Sequence, residues 1–188
     1  MEWVVAAITA RGLVQDLHDS TARISEIVAA VKDYTHMDRA DTRLIDVHEG
    51  IESTLTMLGH KLKKRDVTVE RDYDRELPAI TAHPAQLNQV WTNLLDNAID
   101  AVDGDGTITV RTRRVGDEVV VEVDDDGPGV PPELQSRLFE PFFTTKEVGR
   151  GTGLGLDIVR RIVQNHRGQV RVVSDPPGTR FQVRLPIG

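Results

Sequence analysis

The chain has 188 residues, 39 % of them hydrophobic and 28 % charged, which suits one globular domain with an appendage. It has no cysteine and a net charge of −7, which excludes a disulfide framework and thiolate chemistry and argues against a nucleic-acid footprint. The longest early apolar run, Trp3 to Ile8, is too short to span a bilayer and follows no basic leader. In chain order, residues 13–38 read as one long helix. Leu17, Ile24 and Val31 recur at seven, and Ser20, Ile27 and Tyr34 form a second such series. This is the seam of a helix that packs on other helices. Gly12 punctuates the helix begun at residues 2–10, and Arg39–Arg43 reads as a polar linker. A short strand (44–47), an amphipathic helix (48–64) and a strand (67–71) follow. The basic clusters Lys61–Arg65 and Arg111–Arg114 read as solvated faces. Pro84 suits the first turn of a helix over 86–102. Residues 107–114 and 118–124 alternate apolar and polar around Gly116-Asp117, a hairpin signal. A helix at 154–166 and strands at 169–174 and 179–185 complete the order. The pattern predicts a two-layer α/β domain, a mixed sheet covered on one face by helices.

The helix over 86–102 carries the most information. Leu87, Val90, Leu94, Ala98 and Ala101 form one stripe to bury. Asn93, Asn97 and Asp100 align on another face. Downstream, glycines alternate at 149, 151, 153 and 155 directly before a helix. Such glycines bring backbone close to an anion, and a helix start offers free N–H groups with a favourable dipole. The Gly-Lys-Ser/Thr ending of a P-loop is missing, and the preceding loop is rich in Phe and Pro, unlike a Rossmann turn. A carboxylate closing a strand, Asp125, can accept from an exocyclic amine. A rival reading takes Glu122, Asp124, Asp126, Gly127 and Glu133 as a calcium loop. Its prolines and its entering strand fit that pattern poorly.

The ordered series N-L-L-D-N-A at 93–98, D-D-G-P-G at 125–129, F-E-P-F-F-T-T-K at 139–146, G-R-G-T-G-L-G-L at 149–156 and G-T-R-F at 178–181 resembles the N, G1, F, G2 and G3 boxes of the histidine-kinase ATP-binding domain (the GHKL or Bergerat fold). The resemblance covers about residues 44–188. It implies a Bergerat sandwich preceded by a long helix, with residues 1–43 as a helical dimerisation and linker segment and 44–188 as the ATP-binding domain. It implies ATP and Mg²⁺ as ligands. Asp125 would read the adenine amine with support from Thr179, and Gly127 and Gly129 would turn the chain under the base. Asn97 would ligate the metal. Asn93, Lys146, Arg150, Gly151, Thr152, Gly153, Leu154 and Gly155 would surround the phosphates. Asn93, Asn97 and Lys146 are the expected catalytic set. Phe139, Phe142 and Phe143 would pack the base of a lid spanning 126–152.

In hydrolysing relatives of the gyrase, Hsp90 and MutL types, a glutamate stands four residues before the metal-binding asparagine. Here that residue is Asn93, which cannot act as a general base. The resemblance therefore implies transfer of the terminal phosphoryl group to a protein histidine. No full acceptor motif is present; residues 13–38 resemble the second helix of the kinase hairpin. His18 is the nearest candidate acceptor, and the true one is expected on another segment of a longer sensor kinase or on another chain. His36 and His48 are expected in solvent, as are His60 and His83. His166 is expected at a helix C-terminus whose dipole favours its charge. The expected partners are a second copy through the N-terminal seam, and a response regulator or a histidine-bearing protein; neither nucleic acid nor a membrane segment is expected. The expected location is the cytoplasm. Alternatives are a serine kinase of the anti-sigma type and a non-catalytic ATP-sensing or dimerisation module.

Overall fold

A computed structural model of the chain describes Trp3 and residues 42–188, except Asp103, 147–150 and 175–176. The expected helix at 13–38, His18, His36 and Arg150 lie outside the described residues. The elements are β1 (Arg43–Ile45), α1 (Val47–Met57), α2 (Gly59–Lys64), β2 (Thr68–Tyr73), β3 (Ile80–Ala82), α3 (Pro84–Ala101), β4 (Thr107–Val115), β5 (Glu118–Asp125), α4 (Pro132–Gln135), α5 (Gly155–Asn165), β6 (Gln169–Ser174) and β7 (Thr179–Pro186). The helix expected over 48–64 is two helices, because Leu58 ends the first and starts the second at φ −81°, ψ 0°. The Asp46 side chain caps α1 by accepting from the His48 N–H, which satisfies an otherwise orphaned donor. Strand β3 escaped the sequence reading: three residues between prolines carry no readable period, and antiparallel pairing with β1 makes them a strand.

Five strands form one mixed sheet in the order β2-β4-β5-β7-β6. Strand β2 runs parallel to β4, and the remaining pairs are antiparallel. Alternation along β5 divides the two faces of the layer. Val119, Val121 and Val123 enter the core. Glu122 and Asp124 turn to the opposite face, where they meet Arg113 and Gln182, and Arg111 and Arg180. Val120 lies among these pairs yet is buried, with the long side chains of Arg113 and Arg184 as its register partners on either side. The calcium-loop reading fails on this geometry, since Glu122 and Asp124 are taken up by Arg113, Gln182, Arg111 and Arg180 and Asp126 turns away to accept the Thr107 N–H. Among the described residues no group of three His, Asp or Glu side chains is placed to hold a metal.

Helix α3 is the centre of the helical layer and touches α1, α5 and β5. Leu87, Val90, Leu94 and Ala98 are buried as the periodicity predicts, and so are Trp91, Leu95 and Ile99. The buried stripe is therefore double width, because helices flank α3 on both sides while the sheet lies beneath. Each fully buried aliphatic side chain contributes roughly 2–3 kcal/mol, so this helix is held rigidly and its remaining narrow face can carry polar groups. No described helix is long and apolar enough to cross a membrane.

Three histidine expectations are corrected. His48 is mostly enclosed: its Nε2 meets Thr112 Oγ1 at 2.8 Å and its ring lies 4.8 Å from that of Tyr73. His166 is a neutral imidazole. Its Nε2 accepts the His83 backbone N–H at 3.1 Å, while Nδ1 donates to Ile162 O at 2.8 Å. Burial lowers its pKa from the usual 6.5, outweighing the hydrogen bond to Ile162 O. His83, edge-on to that ring, is part-buried and not a surface residue. Because unfolding frees His166 to take a proton, stability should rise as pH climbs through about 6.5 and be lost below it. Melting temperature measured from pH 5 to 8 should show a shallower slope in His166→Gln than in the parent chain.

Candidate functional site

One face of α3, the last residue of β5 and the loops before α5 enclose a cavity of about 580 Å³. That volume suits a nucleotide-sized ligand. Asn93, Asn97, Asp125, Gly129, Lys146, Gly151, Thr152, Gly153, Leu154, Gly155 and Thr179 all line it, so residues spread over nearly ninety positions converge on one space. Gly127 lies just behind the wall. A side chain there would come within 2.9 Å of Ala101 O and 2.8 Å of Asp125 Oδ1, so only glycine lets the loop pass under the strand end.

Asp125 closes one end of the cavity. It is only 7 % exposed. Its Oδ1 accepts the Gly127 N–H at 3.1 Å. Burial raises its pKa to about 6, although hydrogen bonds from the backbones of Gly127 and Thr179 pull the other way. Thr179 stands opposite Asp125 across β5–β7, and its hydroxyl lies 3.1 Å from Ser174 Oγ. Ser174 Oγ in turn accepts the Val130 N–H at 2.7 Å and donates to Gly178 O at 2.9 Å. A buried carboxylate with spare lone pairs, braced by a hydroxyl chain, is built to accept from a donor in the cavity.

The other end is charged. Lys146 Nζ reaches Asp100 Oδ2 at 2.7 Å and Asn97 Oδ1 at 3.2 Å. Burial would raise the Asp100 pKa, but hydrogen bonds from Lys146 and Lys61 outweigh it and hold the group below its usual value. Asn93 Oδ1 lies 3.0 Å from where a Gly155 side chain would begin, so the carboxamide abuts the first turn of α5 and its free N–H groups. Gly153, at φ +68°, has no space for a side chain against the Phe142 backbone, and its carbonyl accepts the Phe142 N–H at 2.9 Å. The three phenylalanines do not act alike. Phe139 packs on the core and Phe143 lines the cavity with Arg137 over its ring at 4.4 Å. Phe142 is 70 % exposed, against the expectation that it packs the lid base, because its left-handed backbone (φ +66°) turns it outward.

The sequence reading missed Asp96 and Asp100 as cavity residues of consequence, and it missed Lys61. Asp100 carried a signal, since it shares the face of Asn93 and Asn97. Lys61 carried none, because its partners lie 35 and 39 positions away.

The oxygen-rich, lysine-topped end fits the phosphates of a nucleotide and a hard cation; the ammonium already resting on Asn97 Oδ1 marks that oxygen as a cation acceptor. A mixed sheet with helices on one face, a buried strand-end carboxylate and a glycine loop opening a helix define a nucleotide-binding sandwich. The chain belongs to the histidine kinase-, DNA gyrase B-, and HSP90-like ATPase family, whose model matches residues 82–188. It is 35 % identical over 182 residues to the sensory histidine kinase/phosphatase NtrB of Rhodobacter capsulatus, covering 90 % of this chain and 50 % of that protein. It is 33 % identical to the sensor kinase CckA of Brucella abortus, covering 92 % and 20 % respectively. The chain thus spans half or less of the length of these relatives. The catalytic domain of histidine kinase ThkA in a nucleotide-free form superimposes with TM-score 0.72 at 31 % identity, covering 78 % of this chain and 96 % of that one. The mycobacterial sensor histidine kinase MprB gives 0.68 at 29 %, covering 78 % and 97 %. The described sandwich thus has the fold of the catalytic domains of histidine kinases.

Proposed function

We propose that this chain holds Mg·ATP and delivers its terminal phosphoryl group to a histidine on a separate segment or chain. Adenine would sit on Asp125 and Thr179, with Gly127 and Gly129 beneath. The phosphates would lie among Asn93, Asn97, Lys146, Arg150 and the 151–155 glycine loop. Asn97 Oδ1 would ligate the metal, which when bound neutralises phosphate charge. Catalysis by these residues is positioning and electrostatic stabilisation. Asn93 holds the β/γ end in place and accepts no proton from water. Lys146 supplies a mobile positive charge, and the loop backbone supplies N–H donors. A response regulator would take the phosphoryl group onward. A dimer formed through the seam at 13–38 would bring the acceptor to the site. The lack of cysteine and the use of ATP suit the cytoplasm.

The observation that carries this reading is the carboxamide of Asn93 facing the cavity, where a hydrolysing enzyme needs a base. With γ-labelled ATP, the chain mixed with a histidine-bearing hairpin should yield acid-labile, base-stable phosphoprotein and little free phosphate. Steady release of phosphate without any phosphoprotein would refute transfer. ATP binding with neither product would favour the ATP-sensing alternative.

A further inference from the structure

Helix α2 precedes the residues that the family model matches, yet its Lys61, and Arg65 just beyond its end, reach the phosphate end of the cavity from behind. Lys61 Nζ lies 2.5 Å from Asp96 Oδ1 and 2.8 Å from Asp100 Oδ1, and Arg65 Nη2 lies 3.6 Å from the same Asp100 oxygen. The other Asp100 oxygen holds Lys146. Asp100 therefore bridges two lysines, one from the loop before α5 and one from α2. Lys61 does not itself line the cavity, whereas Asp96 and Asp100 do.

This arrangement poses an electrostatic problem for a polyphosphate. Two carboxylates stand in the wall where several negative charges must lie. Lys146 can neutralise Asp100 or the phosphates, but one ammonium serves both poorly. Once Lys146 turns to the ligand, Asp100 faces it with one partner fewer, and like charges at this range in a partly enclosed site repel strongly. Lys61 is placed to remove that conflict, since it holds both carboxylates on the side away from the cavity.

We propose that Lys61 is a positioning residue for polyphosphate binding, keeping Asp96 and Asp100 neutralised from α2 so that Lys146 is free to leave Asp100 for the ligand. The proposal rests on the ATP reading above. It predicts a penalty that grows with ligand charge and shrinks when Asp100 carries no charge, leaving only Asp96 for Lys61 to mask.

The test is a double-mutant cycle on the full chain. Dissociation constants for a non-hydrolysable Mg·ATP analogue, Mg·ADP and adenosine are measured by calorimetry for the parent, Lys61→Met, Lys61→Arg, Asp100→Asn and the Lys61→Met/Asp100→Asn pair. Lys61→Met should weaken the ATP analogue about tenfold, ADP less, and adenosine not at all. Lys61→Arg should stay within about twofold of the parent, and Lys61→Met should cost no more than about threefold in the Asp100→Asn background, where Asp96 alone is left unmasked. An equal loss for all three ligands, or an equal loss in both Asp100 backgrounds, would show that Lys61 merely docks α2 and would overturn the proposal; so would unchanged binding in Lys61→Met. A parent chain that binds no adenine nucleotide would instead sink the ATP reading itself.

Discussion

Asp125→Asn should make the chain more stable and nearly blind to adenine in a single change. The carboxyl is buried and its pKa is raised from 3.8 to about 6. A group whose folded value exceeds its unfolded one lends stability only at low pH, and that stability disappears as pH rises through the folded value. Between about pH 4 and 6 the native chain therefore loses ground, and at pH 7 it carries an ionised group at a cost of about 3 kcal/mol. Asparagine removes the charge and can keep the Gly127 contact. It gives up one of the two backbone N–H partners, worth about 1 kcal/mol, so a net gain of about 1–2 kcal/mol is expected. Thermal unfolding at pH 7 should show a Tm several degrees higher. Adenine binding moves the opposite way. The ionised carboxylate accepts from an amine more strongly than a neutral carboxamide, whose NH₂ can also point the wrong way. Affinity for ATP should fall on the order of 100-fold, or about 2.7 kcal/mol, and in the parent chain it should decline as pH drops below about 6. A lower Tm in the variant, or unchanged affinity, would contradict this account of Asp125.

Asn97→Asp should produce a similarly large loss by a different route. The substitution is isosteric, and its Oδ1 would still face Lys146. It adds a third carboxylate beside Asp96 and Asp100, within reach of the same ammonium. A new negative charge where phosphates bind outweighs any gain as a cation ligand, because Lys146 would be held more firmly and the ligand repelled. Binding of the ATP analogue in magnesium should weaken on the order of 100-fold, with far-ultraviolet circular dichroism unchanged. The affinity for adenosine should be preserved, which separates this variant from Asp125→Asn.

Most of the architecture was legible because it rests on local signals. The hairpin at Gly116-Asp117, the Pro84 helix start and the alternation of β5 and β7 each follow from short-range periodicity, and each appears within a residue or two of its expected place. Asn93, Asn97, Asp125, Lys146 and the described loop residues 151–155, all read from the ordered boxes, line one cavity. What failed to show was set by distant packing. Trp91, Leu95 and Ile99 read as off-stripe residues until α1 and α5 flank α3. β3 exists only because β1 lies beside it. His166 looked like a helix-terminal cation, and the His83 backbone N–H from 83 positions away makes it a neutral acceptor. Lys61, in a run of basic residues, gave no hint that it differs from the exposed Lys63 and Lys64.

The topology has a consequence for how force and folding enter this domain. Strands β4–β5 and β6–β7 are each joined by a short turn and can zip up locally. β2 pairs with β4 alone, in parallel, across an intervening helix. Such a closure has high contact order and forms late. A pull arriving along the chain at residue 42 meets first the three-residue pairing of β1 with β3, then helices α1 and α2, then β2 at the rim of the sheet. Tension from upstream would peel these pieces away in turn while the Asp125 end of the cavity, built on two closed hairpins, stays assembled.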